Sequence, residues 1–141
     1  MKVLFVCNAN VGRSQVAEAL FNQFSGESAG SAGTRSDEIL DRTNPPSRAL
    51  KDTGSSAISY MSEQGVDISE NLREQLTLEM VQEADKVIVM ADEDTWPDFL
   101  RDSNKVVVWE IQDTRGMGPD SARPLYDEIK RRVQKLVAEV G

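Results

Sequence analysis

Three short apolar runs rich in β-branched residues predict buried strands. They are KVLFV at residues 2–6, KVIVM at residues 86–90 and KVVVW at residues 105–109. A weaker fourth candidate is ESAGSAG at residues 27–33. Because helical segments lie between these runs, strand alternates with helix along the chain. This order predicts an α/β fold, a single open sheet of four parallel strands with right-handed crossovers and helices on both faces. In such a fold the site lies beyond the carboxyl ends of the strands.

Apolar residues with helical spacing mark an early and a late helix. The early set is Val16, Ala17, Leu20, Phe21 and Phe24, and the late set is Leu125, Ile129, Val133, Leu136, Val137 and Val140. The middle of the chain, residues 34–84, is predicted to be mostly helical but broken, with a helix stop at Gly65. Leu72, Leu76 and Met80 have the spacing of one helix face, and Ser69 and Thr77 are the candidate caps.

One stretch, DTRGMGPDSARP at residues 113–124, predicts a loop because glycine and proline interrupt regular structure in its middle. A second stretch, LKDTGSSAISY at residues 50–60, has two interpretations. It either forms a lid that faces the substrate or extends a helix.

Length and composition then narrow the class of protein. A chain of 141 residues fits one domain, residues 1–141. The net charge of −8 argues against nucleic acid as a partner. No apolar stretch approaches the roughly 20 residues of a membrane span, so no membrane partner is expected. The amino terminus lacks the features of a signal peptide and the single cysteine forms no internal disulfide, which together predict a cytoplasmic protein with a reduced thiol.

The chain contains no histidine, which excludes serine–histidine triads and histidine-based zinc sites. We therefore predict neither a metal nor a cofactor.

The stretch CNANVGRS, residues 7–14, lies between the first strand and the first helix, where amide groups converge on anions. Gly12 permits a positive φ angle and Asn10 tolerates one, so the loop amides can form a nest for a tetrahedral oxyanion. Arg13 adds a planar fork that grips two oxygens. The residues predicted to bind the anion are Asn8, Ala9, Asn10, Val11, Gly12 and Ser14.

Cys7 has two interpretations. A lone cysteine at the end of an apolar strand is commonly a small buried hydrophobic residue. Here the polar neighbours suit anion binding better than packing, and a helix amino end beside Arg13 favours the thiolate. Thiolate attack on phosphorus then needs no histidine base, and the Ser14 hydroxyl can donate to the sulfur.

The sequence VLFVCNANVGRSQVAEALF resembles the signature of the low-molecular-weight protein tyrosine phosphatase family, which also includes arsenate reductases. The likeness continues through SAGT at residues 31–34, GVDIS at 65–69, EADKVIVM at 83–90 and WEIQD at 109–113. The resemblance implies a four-stranded parallel sheet flanked by helices. It also implies that Cys7 is the nucleophile, that Arg13 binds the oxyanion, that Asn10 holds the loop backbone and that Ser14 stabilises the sulfur.

Ester cleavage also needs an acid for the leaving oxygen. Asp113 follows the strand at residues 105–109 and matches the family's loop aspartate in position, so we expect it to be that acid. Thr114, Arg115 and Gly116 follow it here, where the family usually has proline and often an aromatic residue. The rival carboxylates are Asp92 and Asp94, for which helix capping and solvation are the expected roles.

The resemblance predicts hydrolysis of a phosphomonoester of phosphotyrosine or aryl type through a cysteinyl-phosphate intermediate. Arsenate reduction is the alternative, and it requires an external thiol or glutaredoxin because the chain lacks the two further cysteines of thioredoxin-coupled members. A non-catalytic oxyanion-binding module is a further alternative. The expected ligands are phosphate, arsenate or a phosphotyrosine-type substrate, and Trp96 and Tyr126 are the few aromatic residues available to contact it. The acidic net charge disfavours strongly acidic phosphopeptides.

Overall fold

Four parallel strands form the sheet in the order β2-β1-β3-β4. The computed structural model describes residues 1–140, so Gly141, the last residue of the predicted domain, lies outside the described part. The strands are β1 (Val3–Cys7), β2 (Gly30–Gly33), β3 (Lys86–Val89) and β4 (Val106–Val108). Each lies within or overlaps one of the four predicted runs, which confirms the predicted α/β fold with a single four-stranded sheet.

Among residues 1–140, five α-helices surround the sheet. They are α1 (Arg13–Ser25), α2 (Ser56–Glu63), α3 (Leu78–Glu83), α4 (Asp98–Arg101) and α5 (Pro119–Val140). Two short 3-10 turns, Leu40–Arg42 and Leu50–Asp52, precede α2, and a third, Glu93–Thr95, precedes α4. Among residues 1–140, no helix has both the length and the apolar character that crossing a membrane requires.

Alternation along β1 divides the core into two layers, because successive side chains of a strand point to opposite faces of the sheet. Val3 and Phe5 pack with α1, α2 and α5, whereas Leu4 and Val6 pack with α3 and α4. All four side chains are at most 5% exposed. The helices therefore cover both faces and leave the carboxyl edge of the sheet free for a site.

The strand β4 corrects one expectation. Its β-branched run predicts a buried strand, but Val107 and Val108 are 39% and 53% exposed. The reason is the strand order: β4 lies at the edge and pairs only with β3. A run of valines has the same appearance in a central strand and in an edge strand.

The middle of the chain is less helical than predicted. Between residues 34 and 84 only α2 and α3 are α-helices, and Leu72 is 59% exposed rather than part of a buried helix face. The buried Arg73 explains much of this difference. Its guanidinium donates to the carbonyl groups of Ser36, Ile39, Leu40 and Ser47, so these carbonyls are satisfied without a helix.

Other expectations for local structure are confirmed or corrected individually. Gly65 follows the end of α2 with a φ angle of 87°, and Thr77 caps α3 by accepting a hydrogen bond from the amide of Met80, as predicted. The loop expected at residues 113–124 ends earlier, because α5 begins at Pro119 and contains Pro124. The side chain of Ala122 is fully buried there, so tertiary packing holds this first turn.

Candidate active site

A cleft of about 590 Å³ opens at the carboxyl edge of the sheet. Cys7 is the last residue of β1, which lies between β2 and β3, and the loop from residue 8 to residue 12 leads into α1. The side chains of Asp113 and Asp92, which follow β4 and β3, line the same cleft. Parallel strands therefore bring residues distant in sequence to one place, as the fold class predicts.

The sulfur of Cys7 lies at the bottom of the loop and the residue is only 2% exposed. The Ser14 hydroxyl is 3.0 Å from Sγ, and the Asn10 amide donates to Sγ at 3.3 Å. Both groups can donate to a negatively charged sulfur. A merely structural cysteine among apolar side chains has no such donors.

Asn10 holds the loop in shape. It has the predicted positive φ angle, 60°, and is fully buried. Its Nδ2 donates to the Ser14 hydroxyl at 2.7 Å and to the Ser31 hydroxyl at 3.0 Å, and its Oδ1 accepts from the Glu74 amide at 2.9 Å. These bonds connect the loop to α1, to β2 and to the segment before α3.

Gly12 has a different role from the one expected. Its φ angle is −128°, so the expectation of a positive φ at this position is wrong. A Cβ atom at Gly12 would lie 2.7 Å from the Thr114 hydroxyl oxygen and 3.1 Å from the Tyr126 hydroxyl. Glycine is needed because another loop approaches the backbone closely, a contact that sequence position alone does not reveal.

The loop amides are free to bind a ligand. Among residues 1–140, no protein hydrogen bond is donated by the backbone amides of Asn8, Ala9, Val11, Gly12 or Arg13. All five residues line the cleft, beside Cys7. A run of free amides at the start of α1, where the helix dipole is positive, is a site for an anion.

The guanidinium of Arg13 is buried but oriented by three groups. Its Nη1 donates to the carbonyl oxygens of Met90 and Ile111, at 2.5 and 2.8 Å, and its Nη2 lies 3.7 Å from the Asp113 carboxylate. Among residues 1–140, Nε has no hydrogen-bond partner. Nε and Nη2 together form the edge of the guanidinium that can bind two oxygens of one ligand.

The two candidate acids occupy different positions. Asp113 is half-exposed, lies beside Arg13 and accepts a hydrogen bond from the Arg115 amide at 3.0 Å. Asp92 accepts from Asn8 Nδ2 and its amide donates back to Asn8 Oδ1, each at 2.9 Å. It makes no side-chain cap for the following 3-10 turn, so the expected capping role of Asp92 is wrong. Asp94 does not line the cleft.

The wall of the cleft contains hydroxyl groups that were not predicted. The Tyr126 hydroxyl donates to Thr114 Oγ1 at 3.1 Å and lies 2.9 Å from the Ser56 hydroxyl. Burial raises the pKa of the Tyr126 phenol, so it remains a donor. Tyr126 is 1% exposed and belongs to the core, whereas Trp96 packs on the opposite face of the sheet and does not line this cleft.

The stretch at residues 50–60 contains a part that lines the cleft and a part that is helical. Its last part, from Ser56, is the first half of α2, whereas residues 52–56 line the cleft. The Ser55 hydroxyl donates to the carbonyl of Val11 and accepts from the Ala57 amide. This segment therefore braces the loop from the outside.

Besides the buried Arg73, three arginines that line the cleft were missed by the sequence analysis. Arg35, Arg42 and Arg115 line its outer part. A signal was present in the sequence, because Arg35 closely follows β2 and Arg115 follows β4, and strand-end loops meet at one edge of a parallel sheet. The position of Arg42 depends on the path of the irregular middle segment.

Comparison with known proteins agrees with this arrangement. A structure of a low molecular weight protein tyrosine phosphatase from T. tengcongensis has a TM-score of 0.77 and 25% identity, and the alignment covers 99% of each chain. An arsenate reductase in a phosphate-binding state has a TM-score of 0.76 and 25% identity, and the alignment covers 99% of this chain and 98% of the other. A thioredoxin-dependent arsenate reductase from Corynebacterium glutamicum has a TM-score of 0.68 and 28% identity, and the alignment covers 99% of this chain and 61% of the other.

A family model described as low molecular weight phosphotyrosine protein phosphatase matches residues 2–141. Phosphatases and arsenate reductases both have this fold, and one of the arsenate reductases is in a phosphate-binding state. The match spans residues 7–13, here called the nucleophile loop, together with the sheet and the loop that carries Asp113. The chain belongs to the low molecular weight phosphotyrosine protein phosphatase family.

Proposed function

We propose that the protein hydrolyses phosphomonoesters, with aryl phosphates such as phosphotyrosine as the first class to test, through a cysteinyl-phosphate intermediate. The observation that carries this proposal is the position of the Cys7 sulfur, at the end of β1 with two hydrogen-bond donors and beside free loop amides. Because Cys7 must remain a free thiol, we also propose the reducing cytoplasm as its location.

In the first step, the Cys7 thiolate attacks phosphorus, the S–P bond forms and the bond to the leaving oxygen breaks. The loop amides and Arg13 bind the three equatorial oxygens, whose charge they stabilise in the transition state. Asp113, held beside Arg13 with its carboxylate 3.7 Å from Nη2, donates a proton to the leaving oxygen.

In the second step, water attacks phosphorus and loses a proton to the Asp113 carboxylate. The S–P bond breaks and Cys7 leaves as a thiolate, which the Ser14 hydroxyl at 3.0 Å and the Asn10 amide stabilise. Phosphate then leaves the cleft. One carboxyl group thus acts first as acid and then as base, which suits a chain without histidine.

Arsenate reduction is the second candidate, and the similarity to two arsenate reductases at 25% and 28% identity favours it. The Cys7 thiolate would displace water from arsenate and form an S–As bond. Because the chain has a single cysteine, an external thiol must then attack Cys7 Sγ. Arsenite leaves with the electron pair of the S–As bond, and a second thiol reduces the resulting mixed disulfide.

Two assays on the same preparations test these proposals. We expect wild-type protein to hydrolyse p-nitrophenyl phosphate and Cys7→Ser to show no turnover above background. Arsenite formation that requires both arsenate and an added thiol or glutaredoxin, without phosphatase activity, would replace the first proposal by the second. Phosphate binding with neither activity would indicate the oxyanion-binding module.

A further inference from the structure

The outer part of the cleft is cationic. Besides the nucleophile loop, the cleft is lined there by three arginines, here called the arginine wall: Arg35, Arg42 and Arg115. They come from two segments far apart in sequence: Arg35 and Arg42 from the stretch that follows β2, and Arg115 from the loop after β4. Both segments place guanidinium groups around one opening.

Two of these arginines have no protein partner. In the part of the chain that the structure describes, the side chains of Arg42 and Arg115 form neither an ion pair nor a hydrogen bond. Arg35 donates from Nε to Glu38 at 2.9 Å, which leaves its two terminal nitrogens free. By contrast, Arg48 and Arg123, outside the wall, are paired with Asp37 and Glu63.

The positive charges of the wall act on one another. Burial and the charges of Arg115 and Arg35 lower the pKa of the Arg42 guanidinium. Arg73, 2% exposed, lies behind the wall and donates only to carbonyl groups, and burial with the charges of Arg48 and Arg42 lowers the pKa of its guanidinium, which only Asp37 opposes. The carboxylates of Asp113 and Asp41 act on Arg42 in the opposite direction, but Asp113 is also beside Arg13. The cleft thus holds several guanidinium groups close together, and an anion bound among them would offset their mutual repulsion.

We propose that the preferred substrates are phosphomonoesters that carry a second anionic group, and that Arg42 and Arg115 bind this group beside the phosphoryl site. The proposal rests on the proposed function and names the substrate class for the same site. The transferred phosphoryl group has its own ligands in the loop amides and Arg13, so the arginine wall is available for another charge.

The absence of exposed aromatic side chains supports this choice over recognition of a neutral aryl ring. Among residues 1–140, Tyr126 is the only aromatic residue that lines the cleft, and it is 1% exposed. A ring can therefore not stack on it. The net charge of −8 by itself predicts weak binding of acidic substrates, but charges beyond about 10 Å are largely screened at 0.1 M salt. The local arginines then determine the preference.

Uncleavable phosphonates test the proposal by binding alone. The probes are 4-carboxybenzylphosphonate, 4-carbamoylbenzylphosphonate and p-xylylene bisphosphonate. The carbamoyl compound keeps the phosphonate but replaces the carboxylate by an uncharged amide. Each probe is titrated calorimetrically into the wild-type protein. We expect the carboxylate probe to bind about tenfold or more tightly than the amide, with a difference that shrinks at high salt. Comparing the carboxylate with the bisphosphonate identifies which second anion the wall prefers.

Variants assign the effect to the wall. Arg42→Gln and Arg115→Gln should reduce the carboxylate-to-amide affinity ratio towards one, whereas Arg131→Gln, a matched change on the exposed surface of α5, should leave it unchanged. Equal affinities in the wild type, or a ratio unaffected by both wall variants, would overturn the proposal. If the wild-type protein does not hydrolyse p-nitrophenyl phosphate but still binds the carboxylate probe more tightly than the amide, the proposed activity is rejected and the anion site is retained.

Discussion

At the scale of single residues, the nucleophile loop requires glycine at position 12. Gly12 lies under Thr114 and Tyr126, and a Cβ atom there would be 2.7 Å from Thr114 Oγ1. We expect Gly12→Ala to lower kcat/KM at least tenfold and the free energy of unfolding by about 1–3 kcal/mol, as overpacking does. Steady-state kinetics and urea denaturation measure the two effects.

Two variants control this experiment. A Cβ atom at Gly118 would meet nothing within 4 Å, so Gly118→Ala should have little effect on activity. Replacing Thr114 by alanine in the Gly12→Ala background removes the closer oxygen and should restore part of the stability. If the double variant is no more stable than Gly12→Ala, the clash with Thr114 is not the cause.

The assignment of the acid is also a question of single residues. Asp113→Asn should lower kcat by about 10²–10³-fold for phenyl phosphate, and much less for p-nitrophenyl phosphate, because nitrophenolate leaves without a proton. The same comparison for Asp92→Asn serves as the control, since its carboxylate is bonded to Asn8. A selective loss of phenyl phosphate hydrolysis in Asp92→Asn, with Asp113→Asn affecting the two substrates equally, would contradict the assignment.

At the scale of elements, α1 carries an acid whose pKa is raised by burial. The contact between α1 and β2 leaves Glu18 partly buried near the Ser31 hydroxyl, and burial raises its pKa to about 7. Ser31 also accepts from Asn10, so this contact adjoins the nucleophile loop. The packing of the helix on the sheet thus makes stability depend on pH.

The direction of that dependence follows from proton binding. Because the pKa rises from 4.5 to about 7 on folding, the folded protein retains a proton that the unfolded chain has lost between these values. Stability should therefore fall as pH rises through this window and level off above pH 7. Glu18→Gln should remove this component and be about 2 kcal/mol more stable than wild type at pH 8, with little difference near pH 4.

Urea denaturation at several pH values checks this prediction. Glu79→Gln, the same substitution at an exposed position of α3, is the matched control and should follow the wild-type profile. A profile for Glu18→Gln that runs parallel to wild type from pH 5 to pH 8 would show that Glu18 does not titrate in this window.

At the scale of the whole molecule, Arg13 joins the sheet edge to the nucleophile loop. It donates to Met90, after β3, and to Ile111, after β4. An anion on the loop therefore binds the folded state only. Inorganic phosphate at 100 times its Kd should stabilise the protein by about 2.7 kcal/mol, a rise of several degrees in Tm measured by differential scanning fluorimetry.

Arg13→Gln tests this connection. The two carbonyl groups lose their donor, which should cost about 2 kcal/mol without phosphate, and the phosphate-dependent rise in Tm should disappear. Arg131→Gln should keep both the stability and the rise. A full phosphate effect in Arg13→Gln would mean that the ion binds elsewhere.

The sequence by itself determined the strands, their parallel arrangement, and the group of Cys7, Asn10, Arg13 and Ser14. These features are local, since the spacing of apolar residues and a strand-to-helix turn depend on residues that are close together in the sequence. The charge of the whole chain is also readable, but not where that charge lies.

Only the tertiary structure decided that β4 is an edge strand, that Gly12 is needed for close approach, and that Arg42 joins Arg35 and Arg115 at one opening. The physical reason is that these properties depend on contacts between segments far apart in sequence. Edge position depends on strand order, the approach to Gly12 on the loop after β4, and the path of residues 36–47 on the buried Arg73. No pattern of neighbouring residues encodes such contacts.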